Sequence, residues 1–275
     1  MSYPVPDGAC LLRVVGAGTF CQVALVLQDG RRCACKRLRS RMLGEPAARV
    51  ALEREARVLA LARHDALPEL VRSGADERGP FLIESWAEGT SLLALGRAQA
   101  SSRALAGPAL AGLMAAAARA LADLHALAGE AGPLGLVHGD IAPDHVLWDG
   151  ARVRFIDLGL ARWRGLDTTA LVGERGTLPY VAPELIRGEQ PPDQETDVFA
   201  LAASLAFVAL GREPCRARTP AARLVEVAER GLDLAAVAAC GRLPPGPRAA
   251  LIRALAPDPA GRLPGAAELA AALAS

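Results

Sequence analysis

Residues 136 to 147 read Leu136-Val137-His138-Gly139-Asp140-Ile141-Ala142-Pro143-Asp144-His145-Val146-Leu147, and shortly after them Val153 to Ile156 lead into Asp157-Leu158-Gly159. Two carboxylates, Asp140 and Asp157, each stand at the edge of a short apolar, strand-like run and are followed by loop residues. That arrangement suits a base and a metal ligand facing one pocket. A hard cation such as Mg²⁺ takes a few carboxylate oxygens and leaves its remaining positions to water or substrate oxygens. Alone, an Asp-x-Gly is more often a turn, in which the carboxylate bonds its own backbone. The flanking sequence decides between the two readings.

Upstream, β-favouring runs alternate with glycine or charged turns: Leu11 to Val15, Val23 to Leu27, and Arg32 to Lys36 after the Asp29-Gly30 turn. This predicts a strand meander. From Ala47 to His64 the period becomes helical, with Leu52, Ala56 and Leu59 on one stripe. Phe81-Leu82-Ile83 reads as a further strand that runs out between Glu84 and Gly89. Beyond Gly89 helices dominate. Pro108 opens one whose apolar positions are Leu110, Leu113, Met114, Ala117, Leu121 and Leu124, and Val198 to Leu210 reads as a buried helix. Ser91 to Gly107 suits either a loosely ordered surface segment or a short helix. The fold class expected is α+β and bilobal, a small β-rich part over residues 1–86 and a larger helical part over 87–275.

Three features of the small part carry chemistry. Gly16-Ala17-Gly18 lies between two strands, where glycines serve a hairpin turn or let backbone N–H groups approach an anion. Lys36 ends Cys33-Ala34-Cys35-Lys36 and shares a strand face with Ala34. A lysine leaving an apolar strand either blunts an edge or needs an anion. Glu55 on the following helix could hold that ammonium, whereas Glu53, Arg54 and Arg57 read as solvated helix charges.

Composition narrows the partners. With 52% hydrophobic residues over 275 positions the chain can bury a substantial core. Its 31 basic and 30 acidic side chains cancel to +1, which favours neither nucleic acid nor an anionic membrane. Six cysteines lack zinc-ribbon or disulfide-framework spacing and read as free thiols of a reducing compartment. Met1 to Gly8 has no apolar core, and Val198 to Leu210 is shorter than the roughly 20 residues of a bilayer span. The expectation is a cytoplasmic protein.

Taken in order, these segments resemble the eukaryotic-like Ser/Thr protein kinases of bacteria. The resemblance runs from about Leu11 to Leu273, through the Gly16 hairpin, Ala34-x-Lys36, Glu55, His138-x-Asp140, Asp157-Leu158-Gly159, Gly176-Thr177 with Ala182-Pro183-Glu184, Asp197, and Asp258-Pro259 with Arg262. It implies ATP with Mg²⁺ or Mn²⁺ as cofactors, and a protein substrate or regulated partner. Gly16 and Gly18 would cover the nucleotide, and Val23, Ala34 and Leu147 would sandwich the adenine. Ile83 would guard the back pocket, and backbone groups of Glu84 and Trp86 would bond the base. Lys36, held by Glu55, would contact the α- and β-phosphates. Asp157 would bind the metal, and Asp140 would accept the substrate hydroxyl's proton. Asp197 and His138 would support the loop of Asp140, Thr177 would favour Ser/Thr acceptors, and Arg262 would pair with Glu184.

Four departures accompany this pattern. Cys21 stands for the third glycine, a mild change. Gly139 stands for an arginine, removing the cation that reads a phosphorylated activation loop, so activity should not require phosphorylation at Thr168 or Thr169. Ala142 stands for the lysine that contacts the γ-phosphate, and His145 for the asparagine that holds a second Mg²⁺. His145 could ligate a softer ion such as Mn²⁺ or fill space. Three readings result: an active or weakly active Ser/Thr protein kinase, a nucleotide-binding pseudokinase that regulates a partner, and a small-molecule phosphotransferase, the last suggested by His138-Gly139-Asp140.

Overall fold

Strands β1 (Ala9–Ala17), β2 (Cys21–Gln28) and β3 (Arg31–Leu38) form the expected meander. Asp29 and Gly30 both take positive φ between β2 and β3, as a two-residue hairpin turn requires. The computed structural model describes residues 3–100, 105–130, 132–166 and 176–275; Thr168 and Thr169 lie outside them. β4 (Leu70–Asp76) and β5 (Gly79–Ser85) complete an antiparallel sheet of order β1-β2-β3-β5-β4. β4 has no counterpart in the sequence reading. It is an edge strand, largely exposed, and its polar residues leave little alternation to detect.

Pairing fixes which side chains share a face. Val23 lies opposite Lys36, Ala34 opposite Glu84, and Lys36 opposite Leu82. These residues therefore line one side of the sheet, toward α1 (Pro46–Leu61), whose buried stripe includes Leu52, Glu55, Val58 and Leu59. Cys33, Cys35, Phe81 and Ile83 point the other way and form a separate cluster with Ala24, Val26 and Tyr3. The Tyr3 hydroxyl donates to the Cys35 carbonyl at 2.6 Å.

After β6 (Thr90–Ser91) the chain becomes mainly helical, with α2 (Leu92–Ala100) and α3 (Gly107–His125). All six apolar positions expected on α3 are buried. A minimal ladder of β7 (Ala128–Gly129) and β8 (Gly132–Pro133) leads into the loop of residues 136–145. β9 (Val146–Trp148) and β10 (Val153–Phe155) then form a hairpin that β6 extends. α4 (Pro183–Arg187) precedes α5 (Gln194–Leu210), which is buried nearly throughout. α6 (Pro220–Arg230), α7 (Leu234–Ala238), α8 (Pro245–Ala254) and α9 (Ala266–Ala274) wrap that part. One apolar core runs from Leu38, Leu52 and Leu82 beneath the sheet through Phe155 to Phe199 and Leu273. The two carboxylate loops lie beside this seam. All six cysteines are free thiols, and among the described residues no helix is long and apolar enough to cross a membrane.

Candidate active site

Lys36 and Glu55 meet because β3 and α1 place them on facing surfaces. Nζ of Lys36 lies 2.6 Å from Oε1 of Glu55, and both side chains are nearly fully buried. Lys36 is the single lysine of the chain, in a protein whose other basic side chains are all arginine. That bias is a sequence signal the motif reading did not use. The same Glu55 oxygen accepts from the Leu158 N–H at 3.0 Å, tying the lysine to the Asp157-Leu158-Gly159 loop. Arg54, expected as a solvated charge, is 2% exposed and donates from Nη1 to the Gly159 carbonyl at 2.9 Å. A surface stripe could not reveal this, since its partner is over a hundred residues away.

The loop of Asp140 is held from below. Asp197, three residues into α5, accepts the N–H groups of His138 at 2.7 Å and Gly139 at 2.9 Å, one on each carboxylate oxygen. The capping box at the helix start is Asp193 with Thr196, so Asp197 is not needed as a cap and serves the loop and the His125 ring, whose Nε2 lies 3.1 Å from Oδ2. His138 is buried, and desolvation pushes its imidazole down to about 4, so it is neutral. Oδ1 of Asp140 accepts the Thr177 N–H at 2.7 Å. A side chain at Gly176 would crowd Asp140, with its Cβ 3.0 Å from Oδ1. Burial pushes the Asp140 carboxyl up to about 6, opposed by nearby His145 and the Thr177 bond. Gly139 takes φ 78°, and a Cβ there would lie 2.5 Å from the Leu160 carbonyl oxygen. The loop thus has no room for the arginine of the family pattern.

His145 bridges the two acids. Its ring nitrogens lie 3.5 Å from Oδ2 of Asp140 and 3.5 Å from Oδ2 of Asp157, while Nδ1 faces the Asp140 carbonyl at 2.8 Å. Burial disfavours its charge, but the carboxylates of Asp157, Asp140 and Asp144 outweigh that and hold its pKa above the ordinary value. Asp157 itself has φ 67°, a left-handed conformation costly for a non-glycine residue. Desolvation works against its charge, yet the cations of Lys36 and His145 hold the carboxyl below the usual range. Contacts therefore run without a break from Lys36 through Glu55 and Leu158 to Asp157, then through His145 to Asp140 and Thr177.

On the nucleotide side two expectations need correction. Ile83, expected to guard the back pocket, is fully buried in the outer cluster on the far face of the sheet. Strand alternation turns Glu84 to the lysine face instead, with Oε1 3.1 Å from Lys36 Nζ. The N–H of Trp86 is spent on the Arg32 carbonyl at 3.1 Å and is not available to a base; the Trp86 ring lies under the Arg13 guanidinium at 5.8 Å. Val23 and Ala34 do lie on the lysine face, and Leu147 lies on β9. Gly16 and Gly18 have no positive φ, and a Cβ at either would meet nothing closer than 3.9 Å. Neither turn geometry nor internal packing demands glycine there.

The half-exposed, ionised Asp157 carboxylate fits one Mg²⁺ that shares phosphate oxygens. His145 offers nitrogen where a second hard ion would want oxygen, and among the described residues no cluster of three or more His, Cys, Asp or Glu forms a closed metal cage. Farther away, Arg262 grips Glu184 bidentately at 2.5 and 2.8 Å, both buried, as expected from the sequence.

The chain matches the protein kinase domain model over residues 10–239. It is similar to the serine/threonine-protein kinase AfsK of Streptomyces griseus, 35% identical over 105 residues, 36% of this chain and 12% of that protein. It is also similar to the probable serine/threonine-protein kinase PkwA of Thermomonospora curvata, 40% identical over 83 residues, 29% and 11% of the two lengths. Rhodopsin kinase GRK1 of Rattus norvegicus is 39% identical over 84 residues, 30% of this chain and 15% of that one. The matched stretches thus cover only a small part of each of these relatives.

Proposed function

The chain belongs to the protein kinase domain family, and on that premise we propose that it transfers the γ-phosphate of ATP to a serine or threonine hydroxyl of a protein. The observation that carries this reading is the unbroken line of contacts joining Lys36, Asp157 and Asp140. Lys36 holds the α- and β-phosphates. Asp157 is the carboxylate that would hold Mg²⁺, an ion that would supply neutralisation of phosphate charge there. Asp140, ionised above about pH 6 and aimed by the Thr177 N–H, accepts the proton of the attacking hydroxyl. Val23, Ala34 and Leu147 enclose the base, and the bare glycine tip at Gly16 and Gly18 leaves room for phosphates. The Glu184–Arg262 pair steadies the segment on which a peptide would lie.

Ala142 is fully buried and carries no charge toward the γ-phosphate, and His145 supplies no second oxygen donor. Losing one preorganised contact of this kind costs on the order of 10²–10³ in rate, so turnover is slow rather than absent. The test is phosphate transfer from γ-labelled ATP to the chain itself or to a generic protein, with Mg²⁺ and with Mn²⁺. Transfer lost in Asp140→Asn supports the reading; no transfer above that variant overturns it. A second reading, a nucleotide-binding regulator without turnover, is favoured by the wedge of His145 between both acids. Thermal stabilisation by ATP without transfer would select it.

A further inference from the structure

Behind the lysine the sheet carries a second carboxylate that the kinase reading does not use. Glu84 is 2% exposed, its Oε1 lies 3.1 Å from Lys36 Nζ, and its Oε2 is buried without a hydrogen-bond partner. One buried ammonium thus faces two buried carboxyl groups, and burial pushes that of Glu84 up to about 7. An arrangement so costly in desolvation calls for an explanation.

The two carboxylates differ in what carries them. Glu55 stands on α1 and is bonded, with neighbouring Arg54, to the 157–159 loop, so its position is set by helix and loop. Glu84 is fixed in β5, between β3 and β4, opposite Ala34 and diagonal to Lys36 on the same face. An ammonium has three N–H donors. Glu55 takes one and Glu84 another, which leaves the third for a phosphate. We propose that Glu84 is a positioning residue that holds Lys36 toward the nucleotide from within the sheet, a hold separate from the one Glu55 exerts from α1. The proposal rests on the nucleotide reading of the cleft.

Because Lys36 is the only lysine, a chain labelled with ¹⁵N-lysine gives a single ε-ammonium signal. That signal should persist at neutral pH in wild type, in Glu55→Gln and in Glu84→Gln. In each single variant the ratio of MgATP to adenosine affinity should fall about three- to tenfold, the worth of one hydrogen bond. The double variant should fall to the level of Lys36→Met. Loss of the signal in Glu55→Gln alone, with MgATP affinity already at the Lys36→Met level, overturns the proposal. So does a Glu84→Gln variant whose affinity ratio equals that of wild type. The single variants decide the question even if the double variant does not fold. Should wild type bind neither ATP nor adenosine, the nucleotide reading fails, and the ammonium signal still tests whether Glu84 holds the lysine.

Discussion

Asp140 is the residue whose environment most directly sets a rate. A base must be ionised to accept a proton, and burial places its carboxyl at about 6. Phosphate transfer should therefore rise as pH increases through about 6 and level off above it; a profile flat between pH 5 and 7 would remove Asp140 from that role. Lys36 makes a second prediction. Replacing it with Met leaves Glu55 and Glu84 facing each other, buried and without their cation, which should cost about 3–5 kcal/mol in a urea melt. Gly139→Arg, which restores the family residue, should destabilise by about 1–3 kcal/mol and not raise activity. Its backbone is left-handed and the Leu160 carbonyl occupies the Cβ position. Lys36, Asp140 and Asp157 were legible as candidates through the ordered series of motifs that carries the family resemblance. The role of Glu84 was not, because a pairing across two strands and a helix leaves no local trace.

At the scale of elements, periodicity located α1 and α3 because each buries one regular face against the core, whereas β1, β2, β3 and β5 were marked by β-favouring runs between turn residues. Its failures have physical causes. β4 is exposed on both faces, so no alternation marks it. The one-residue error at Ile83 arose because β5 is buried on both faces, and a continuous apolar run does not say which residue looks into the cleft. Only the pairing of Ala34 with Glu84 settles that. α5 shows the opposite case. It is apolar all round and anchored at its start by the Asp193–Thr196 capping box, so its first turn presents Asp197 to the loop of Asp140. Removing the cap with Asp193→Ala should lower stability by about 1 kcal/mol, read as a shift in the thermal midpoint. Asp197→Ala should instead depress transfer far more than it depresses stability.

At the scale of the whole molecule, one apolar core ties the small sheet to the helical part, and the polar contacts of the site bridge the same two parts. The near-zero net charge gives no field to draw a substrate in. The buried Arg262–Glu184 pair fastens α4 to the segment after α8. Arg262→Ala should cost about 3–5 kcal/mol by leaving Glu184 buried and unpaired. The central claim is that Lys36 and Asp157, distant in sequence, serve one nucleotide triphosphate. The measurement that tests it most directly is the rate of phosphate transfer from γ-labelled ATP, wild type beside Lys36→Met and Asp157→Ala. Convergence predicts a measurable wild-type rate that drops by at least about a hundredfold in both variants; equal rates in all three proteins would contradict it.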